Sequence, residues 1–289
     1  MDSFIIPLWD LGQMLSISLG LLAILDFGWS YHTQARYFAL HGLWNIIISI
    51  LIIPDLYVVI TDPLHAVSSG SGFNKWPAIM GISLHIWHCV AYTGLTSDDY
   101  FHHIVFAGGL SVITLLWDWG YSTNFLIFFI CGLPGGLDYI MLALVKHNYL
   151  AKITEKRINK FLNVWMRGPG CIASACLIWT NWMSGSTSHI PISIKLVTIL
   201  LAVTNGQYYS RRVVESCALH EDKLVRENSR EQLIINEINN NNNNNNNTKQ
   251  TEQIYLCYNC NNKYESAVKL IDHRRDIHGI ISPIQSVHY

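Results

Sequence analysis

Charged side chains are scarce in this sequence. Asp, Glu, Lys and Arg make up 13% of the 289 residues, about half their usual share in soluble domains. That scarcity excludes an ordinary water-soluble domain for most of the chain. Neither sign of charge is in surplus, the formal net charge being −1, so charge alone gives no argument for a nucleic-acid partner. Cysteines are few and badly spaced for a secreted disulfide framework. Cys89, Cys131, Cys171 and Cys176 lie in apolar stretches and Cys217 stands alone in a charged one, leaving Cys257 and Cys260 as the pair with ligand-like spacing. The first residues, Met1-Asp2-Ser3, have no basic cluster before the apolar run. The run therefore reads as an uncleaved first span, not a signal peptide.

What is present is apolar and unevenly distributed. Half of the residues are hydrophobic, and residues 1–209 hold only 19 of the 39 charged side chains. The break near Arg211 separates a membrane-like body from a water-like tail. A spanning helix needs about 20 mostly apolar residues. Stretches 11–29, 39–60, 77–95, 103–117, 123–145, 170–183 and 191–209 fit that pattern, the fourth and sixth being short and interrupted by polar residues. The expected fold is an all-α polytopic membrane protein of about seven transmembrane helices. The segment 146–167, expected as a loop, carries Lys146, Lys152, Lys156, Arg157, Lys160 and Arg167. With seven spans, Arg36 and Arg211-Arg212 fall on the same side, and Lys75 and Lys195 on the other. The positive-inside rule then puts the tail in the cytosol. Trp29, Trp76, Trp117, Trp119, Tyr208 and Tyr209 sit near span ends, as an interfacial aromatic belt does.

The domain plan that follows is a first helix and loop (1–38), a membrane domain (39–209), a charged helix with an Asn-rich linker (210–250) and a terminal module (251–289). The linker contains nine consecutive Asn, residues 239–247. The module reads Cys257-x2-Cys260-x12-His273-x4-His278, with Tyr255, Tyr264 and Leu270 at the places of a small apolar core. This is the spacing of a C2H2-type ββα zinc finger, in which a tetrahedral zinc supplies the folding free energy that so short a unit lacks. The helix positions Ser266, Val268, Lys269 and Asp272 correspond to base-reading positions of such fingers. One finger covers only about three base pairs, so a protein partner is the better expectation than nucleic acid.

Ionisable residues inside apolar spans default to functional hypotheses. His41 opens the second span. His85 and His88 share a face of the third, and Asp98, Asp99, His102 and His103 lead into the fourth. Asp138 lies in the fifth, within Gly132-Leu133-Pro134-Gly135-Gly136-Leu137-Asp138-Tyr139. Histidines in such places also serve as hydrogen bonds between helices, and that reading stands beside the functional one. Asp138 should face the bundle interior with at least one histidine in reach. His65, His147, His189 and His220 read as ordinary surface residues.

From Asp99-Tyr100-Phe101-His102-His103 through Gly136-Leu137-Asp138-Tyr139 to Lys146, the chain resembles the TLC-domain family, which includes ceramide synthases. The resemblance covers roughly residues 39–209. It implies a TLC-like bundle in the endoplasmic reticulum or another internal membrane, handling an acyl chain or sphingolipid-type lipid. It also implies His102, His103 and Asp138 as the polar, catalytic centre. Transfer from acyl-CoA would use one His as general base on an amine or hydroxyl. Leu137 and Met141 stand where ceramide synthases carry acid–base residues. Two other classes compete. Clustering of His85, His88, His102 and His103 suggests a membrane di-iron hydroxylase or desaturase. Alternatively, the body is a non-enzymatic anchor presenting the finger.

Overall fold

The computed structural model describes residues 7–68, 73–93, 97–244, 255–256 and 263–264. The chain divides into two compact units, Met1–Tyr149 with Ile158–Val213, and Leu150–Arg157 with Val214–Tyr289.

The regular structure of the first unit is all helical among its described residues. Its elements are α1 (Leu8–Gly28), α2 (Arg36–Thr61), α3 (Pro63–Ser68), α4 (Trp76–Ala91), α5 (Ser97–Phe101), α6 (Gly109–Leu116), α7 (Ser122–Ile127), α8 (Leu133–Lys146), part of α9 (Lys152–Leu162), α10 (Gly168–Met183) and the start of α11 (Ile192–Asn244). Three π-helical segments, His102–Gly108, Phe128–Gly132 and Asn163–Arg167, join α5 to α6, α7 to α8 and α9 to α10. Among the described residues, four helical stretches are long and apolar enough to cross a membrane: Trp9–His32, Arg36–Thr61, Ser122–Lys146 and Lys152–Met183. A shorter apolar stretch covers His102–Leu116.

The unit buries many polar side chains and leaves many large apolar ones exposed, a departure from the pattern of a water-soluble bundle. Leu21, Ile24, Ile53, Ile60 and Leu200 are exposed, while Asn45, Ser49, Asp55, Asn124, Ser174, Asn181 and Asn205 are buried. Apolar cores remain between the helices. One gathers Leu22, Leu40, Trp44, Ile48, Met80 and Leu84 from α1, α2 and α4, and another gathers Leu110, Leu126, Ala175, Ile178 and Ala202 from α6, α7, α10 and α11. Helices α2 and α8 pack extensively and closely. A Cβ on Gly42 would stand 2.8 Å from Ile140 Cγ1, and one on Gly136 would stand 2.9 Å from Ile46 Cδ1. Two glycines facing two isoleucines let the backbones approach, the small-residue packing that lipid-embedded helices use in place of a hydrophobic drive.

Two buried carboxylates brace this unit. Asp26 accepts hydrogen bonds from Arg36 Nη2 at 2.6 Å, Arg36 Nε at 2.8 Å, Ser30 Oγ at 2.6 Å and Trp87 Nε1 at 3.0 Å. This ties α1 to α2 and α4. Asp55 accepts from the Asn74 backbone N–H at 2.9 Å and from the Asn124 amide.

Several expectations are corrected. The segment 146–167 is largely helix, because residues 152–167 contain helix formers and no Gly or Pro. The actual connection is short, residues 147–151, and turns at Asn148 with φ 60°, a left-handed position that Asn tolerates. Lys195 is buried, its Nζ 5.4 Å from the Trp182 ring. Trp119, assigned to an interfacial belt, is buried with its indole N–H on the Ile113 carbonyl.

In the second unit, Arg157 Nε donates to Glu221 Oε1 at 2.8 Å, and Arg226 pairs with Asp222 at 2.8 Å. Glu155 and Cys217 are buried. His220, expected as a surface residue, is only part exposed. Burial, with Lys152, Lys156 and Lys223 nearby, holds its pKa below the usual histidine value. Strands β1 (Tyr255–Leu256) and β2 (Lys263–Tyr264) pair antiparallel, Tyr255 opposite Tyr264. Cys257, Cys260, His273 and His278 lie outside the described residues, as do Ser266, Val268, Lys269, Leu270 and Asp272.

Candidate functional site

A cavity of about 630 Å³ opens inside the first unit, and all five histidines of its helical interior line it: His41, His85, His88, His102 and His103. Local geometry explains the convergence. Tyr37, His41 and Asn45 recur every four residues along α2 and so share one face. His85 and His88 do the same on α4, as do Gly135, Asp138 and Tyr139 on α8. Each π segment also delivers lining residues: His102 and His103 from the first, Ile130 and Cys131 from the second, Asn163 and Arg167 from the third. Successive side chains of an α-helix diverge by about 100°. The wider i→i+5 turn lets the adjacent His102 and His103 border the same space, and such π turns concentrate at functional sites.

Hydrogen bonds fix the tautomers of the central pair. His85 Nδ1 lies 2.7 Å from the Gly81 carbonyl, which can only accept, so that nitrogen carries the proton. In the neutral ring, His85 Nε2 is then an acceptor. His102 Nε2, 3.0 Å away, must donate to it. This leaves His102 Nδ1 as an acceptor for the Tyr209 hydroxyl at 2.8 Å. The result is a directed chain: Tyr209 O–H to His102, His102 N–H to His85, His85 N–H to the backbone. The same logic orients His41, whose Nδ1–H donates to the Tyr37 carbonyl at 2.8 Å. The Tyr37 hydroxyl lies 3.4 Å from both His88 Nδ1 and the Tyr139 hydroxyl. The His103 ring stands 4.7 Å from that of His88, centroid to centroid.

His85 and His102 also border a second, narrower space of about 50 Å³. Its wall is mostly apolar: Gly81, Phe106, Ala107, Leu110, Leu126 and Ile130. The histidine pair thus stands between a polar chamber and an apolar slot.

His102, His103 and Asp138, the residues expected to form the centre, are brought to one cavity, together with His85 and His88. Nothing is described for the side chains of Asp98 and Asp99. Sequence reasoning missed Tyr209, which it assigned to the aromatic belt, and Arg167, which it counted only for topology. Asn45 carried a readable signal, standing four residues after His41 on the same face. Tyr209 carried none, because its partner is 107 residues away. Among the described residues, no three His, Cys, Asp or Glu side chains are placed to hold one metal ion. No family model matches the chain, and neither a curated protein nor a solved structure does so.

Proposed function

We propose that this chain is a multi-pass membrane protein of the TLC-like type, with about seven spans, that handles a lipid at the histidine cavity. The observation that carries the reading is the directed chain Tyr209–His102–His85 at the junction of a polar chamber and an apolar slot. Each of the seven apolar stretches of the sequence falls largely on a helix, which supports the span count. The chamber has room for an amphiphile whose polar part stays beside the histidines while the end of its chain reaches Phe106, Leu110 and Leu126.

The chain of hydrogen bonds suits general-base chemistry on an amine or hydroxyl. A substrate proton passes to the Tyr209 oxygen as the phenol proton passes to His102 Nδ1. The imidazolium so formed keeps its Nε2–H on His85 Nε2, which neutral His85 accepts. His103 and Asp138 border the same chamber and complete the polar centre. The acyl donor in this reading is a thioester such as acyl-CoA, and general-base assistance of this kind contributes about 10²–10⁴-fold in rate. The test is the lipid profile of cells expressing wild type or the His102→Ala/His103→Ala variant at matched abundance. Altered acyl or sphingolipid species are expected with wild type alone. Identical profiles would leave the body an anchor.

In the same proposal the tail is cytosolic and its C2H2 module binds structural zinc through Cys257, Cys260, His273 and His278 to dock a protein partner. The antiparallel pairing of Tyr255–Leu256 with Lys263–Tyr264, which flank the Cys257-x2-Cys260 sequence, supports that reading. A peptide of residues 251–289 should be unfolded with chelator and gain helix on adding zinc, since structural sites are worth about 10–16 kcal/mol at neutral pH. A spectrum indifferent to zinc removes the module.

A further inference from the structure

The cavity carries one carboxylate, Asp138, against two guanidinium groups, Arg167 and Arg212. Its lining is therefore net positive whichever group Asp138 pairs with. Arg167 is the informative one. Its Nε is buried and has no hydrogen-bond acceptor among the described residues. Its guanidinium carbon lies 5.0 Å from the centre of the Tyr209 ring, a stacking contact that compensates charge only weakly. A half-buried guanidinium in an apolar bundle is costly without an anion.

The surroundings are built to receive one. Over Gly135, Arg167 Nη2 and Asn45 Nδ2 converge, lying 3.6 and 3.3 Å from the point a Cβ would take. Both are donors, and the planar guanidinium fork matches the paired oxygens of a carboxylate or phosphate. Arg167 stands at the end of a π segment. Tyr209 links it to the relay, its ring against Arg167 and its hydroxyl on His102.

We infer that Arg167, with Asn45, binds the oxyanion head of a single-chain amphiphile whose apolar chain lies along the chamber past His85 and His102, with its end at the slot. The inference rests on the lipid reading above and specifies its ligand as anionic. A carboxylate head and a phosphate head offer the guanidinium the same oxygens, and the probes below separate the two.

The test measures binding to the full-length protein in nanodiscs of neutral lipid, with palmitate, palmitoyl lysophosphatidate, hexadecanol and inorganic phosphate as probes. At least one of the two anionic amphiphiles should bind about tenfold or more tighter than hexadecanol, the worth of a charge-assisted pair. Inorganic phosphate should bind far more weakly than either. Arg167→Gln should bring the anionic amphiphiles to within about threefold of hexadecanol, while Arg167→Lys keeps a reduced preference. Should Arg167→Gln fail to fold, the wild-type ratio and the Lys variant still decide. Equal binding of hexadecanol and both anions to wild type, or an unchanged preference in Arg167→Gln, overturns the anion subsite and leaves the lipid reading intact. Phosphate binding as tightly as the amphiphiles overturns the amphiphile assignment. Binding of no single-chain compound at all defeats the lipid reading, and this inference with it.

Discussion

Two buried polar networks in the same helical unit use similar residues to opposite ends. Around Asp26, a fully buried carboxylate meets Arg36 through two nitrogens, Ser30, and the Trp87 indole. Each of these donors is spent on the one carboxylate. Around His102, by contrast, the bonds run in a line that begins at a tyrosine hydroxyl on the wall of a cavity. There Arg167 Nε and Asn163 Oδ1 are buried without hydrogen-bond partners among the described residues. A closed network holds helices together, whereas an open one keeps binding capacity in reserve. In these two networks, satisfaction more than residue type separates brace from site.

The comparison can be broken by paired variants measured as thermal melts of the full-length protein in detergent. Asp26→Ala should be the most damaging, costing about 3–5 kcal/mol, since it strands the Arg36 charge among apolar helices. His102→Gln should cost about 1 kcal/mol, the net worth of a hydrogen bond whose partners can turn to water in the cavity. Equal losses would show that the histidine chain is also a brace.

Much of the architecture was legible in the sequence. The seven apolar stretches marked where helices lie, because apolar runs of that length leave the backbone few alternatives to helix in lipid. Polar spacing along single helices was equally informative: His85 with His88, and Asp138 beside Gly135, all reached the cavity. What could not be read was the pairing between helices. Asp26 and Asp55 passed unnoticed as buried charges, since their partners Arg36 and Asn124 are recognisable only once α1, α2, α4 and α7 are assembled. The π segments were hidden for a related reason. They depend on one extra residue per turn accommodated by tertiary packing, and no local propensity announces them. Reading 146–167 as a loop gave charge more weight than helix propensity. One of its basic residues, Arg167, turned out to face the cavity.

On the proposed function, a lipid chain enters the interior between the histidine pair and the apolar slot. The direct measurement is photo-crosslinking of the full-length protein in nanodiscs with a palmitoyl chain bearing a diazirine near its tail, supplied as the acid and as the alcohol, followed by mapping of labelled peptides. Labels concentrated on residues 106–114 and 126–131, and reduced when a bulky side chain replaces Ala107, are the predicted result. Labels confined to outward residues such as Ile24, Ile53 and Ile60, unchanged by that replacement, would contradict it.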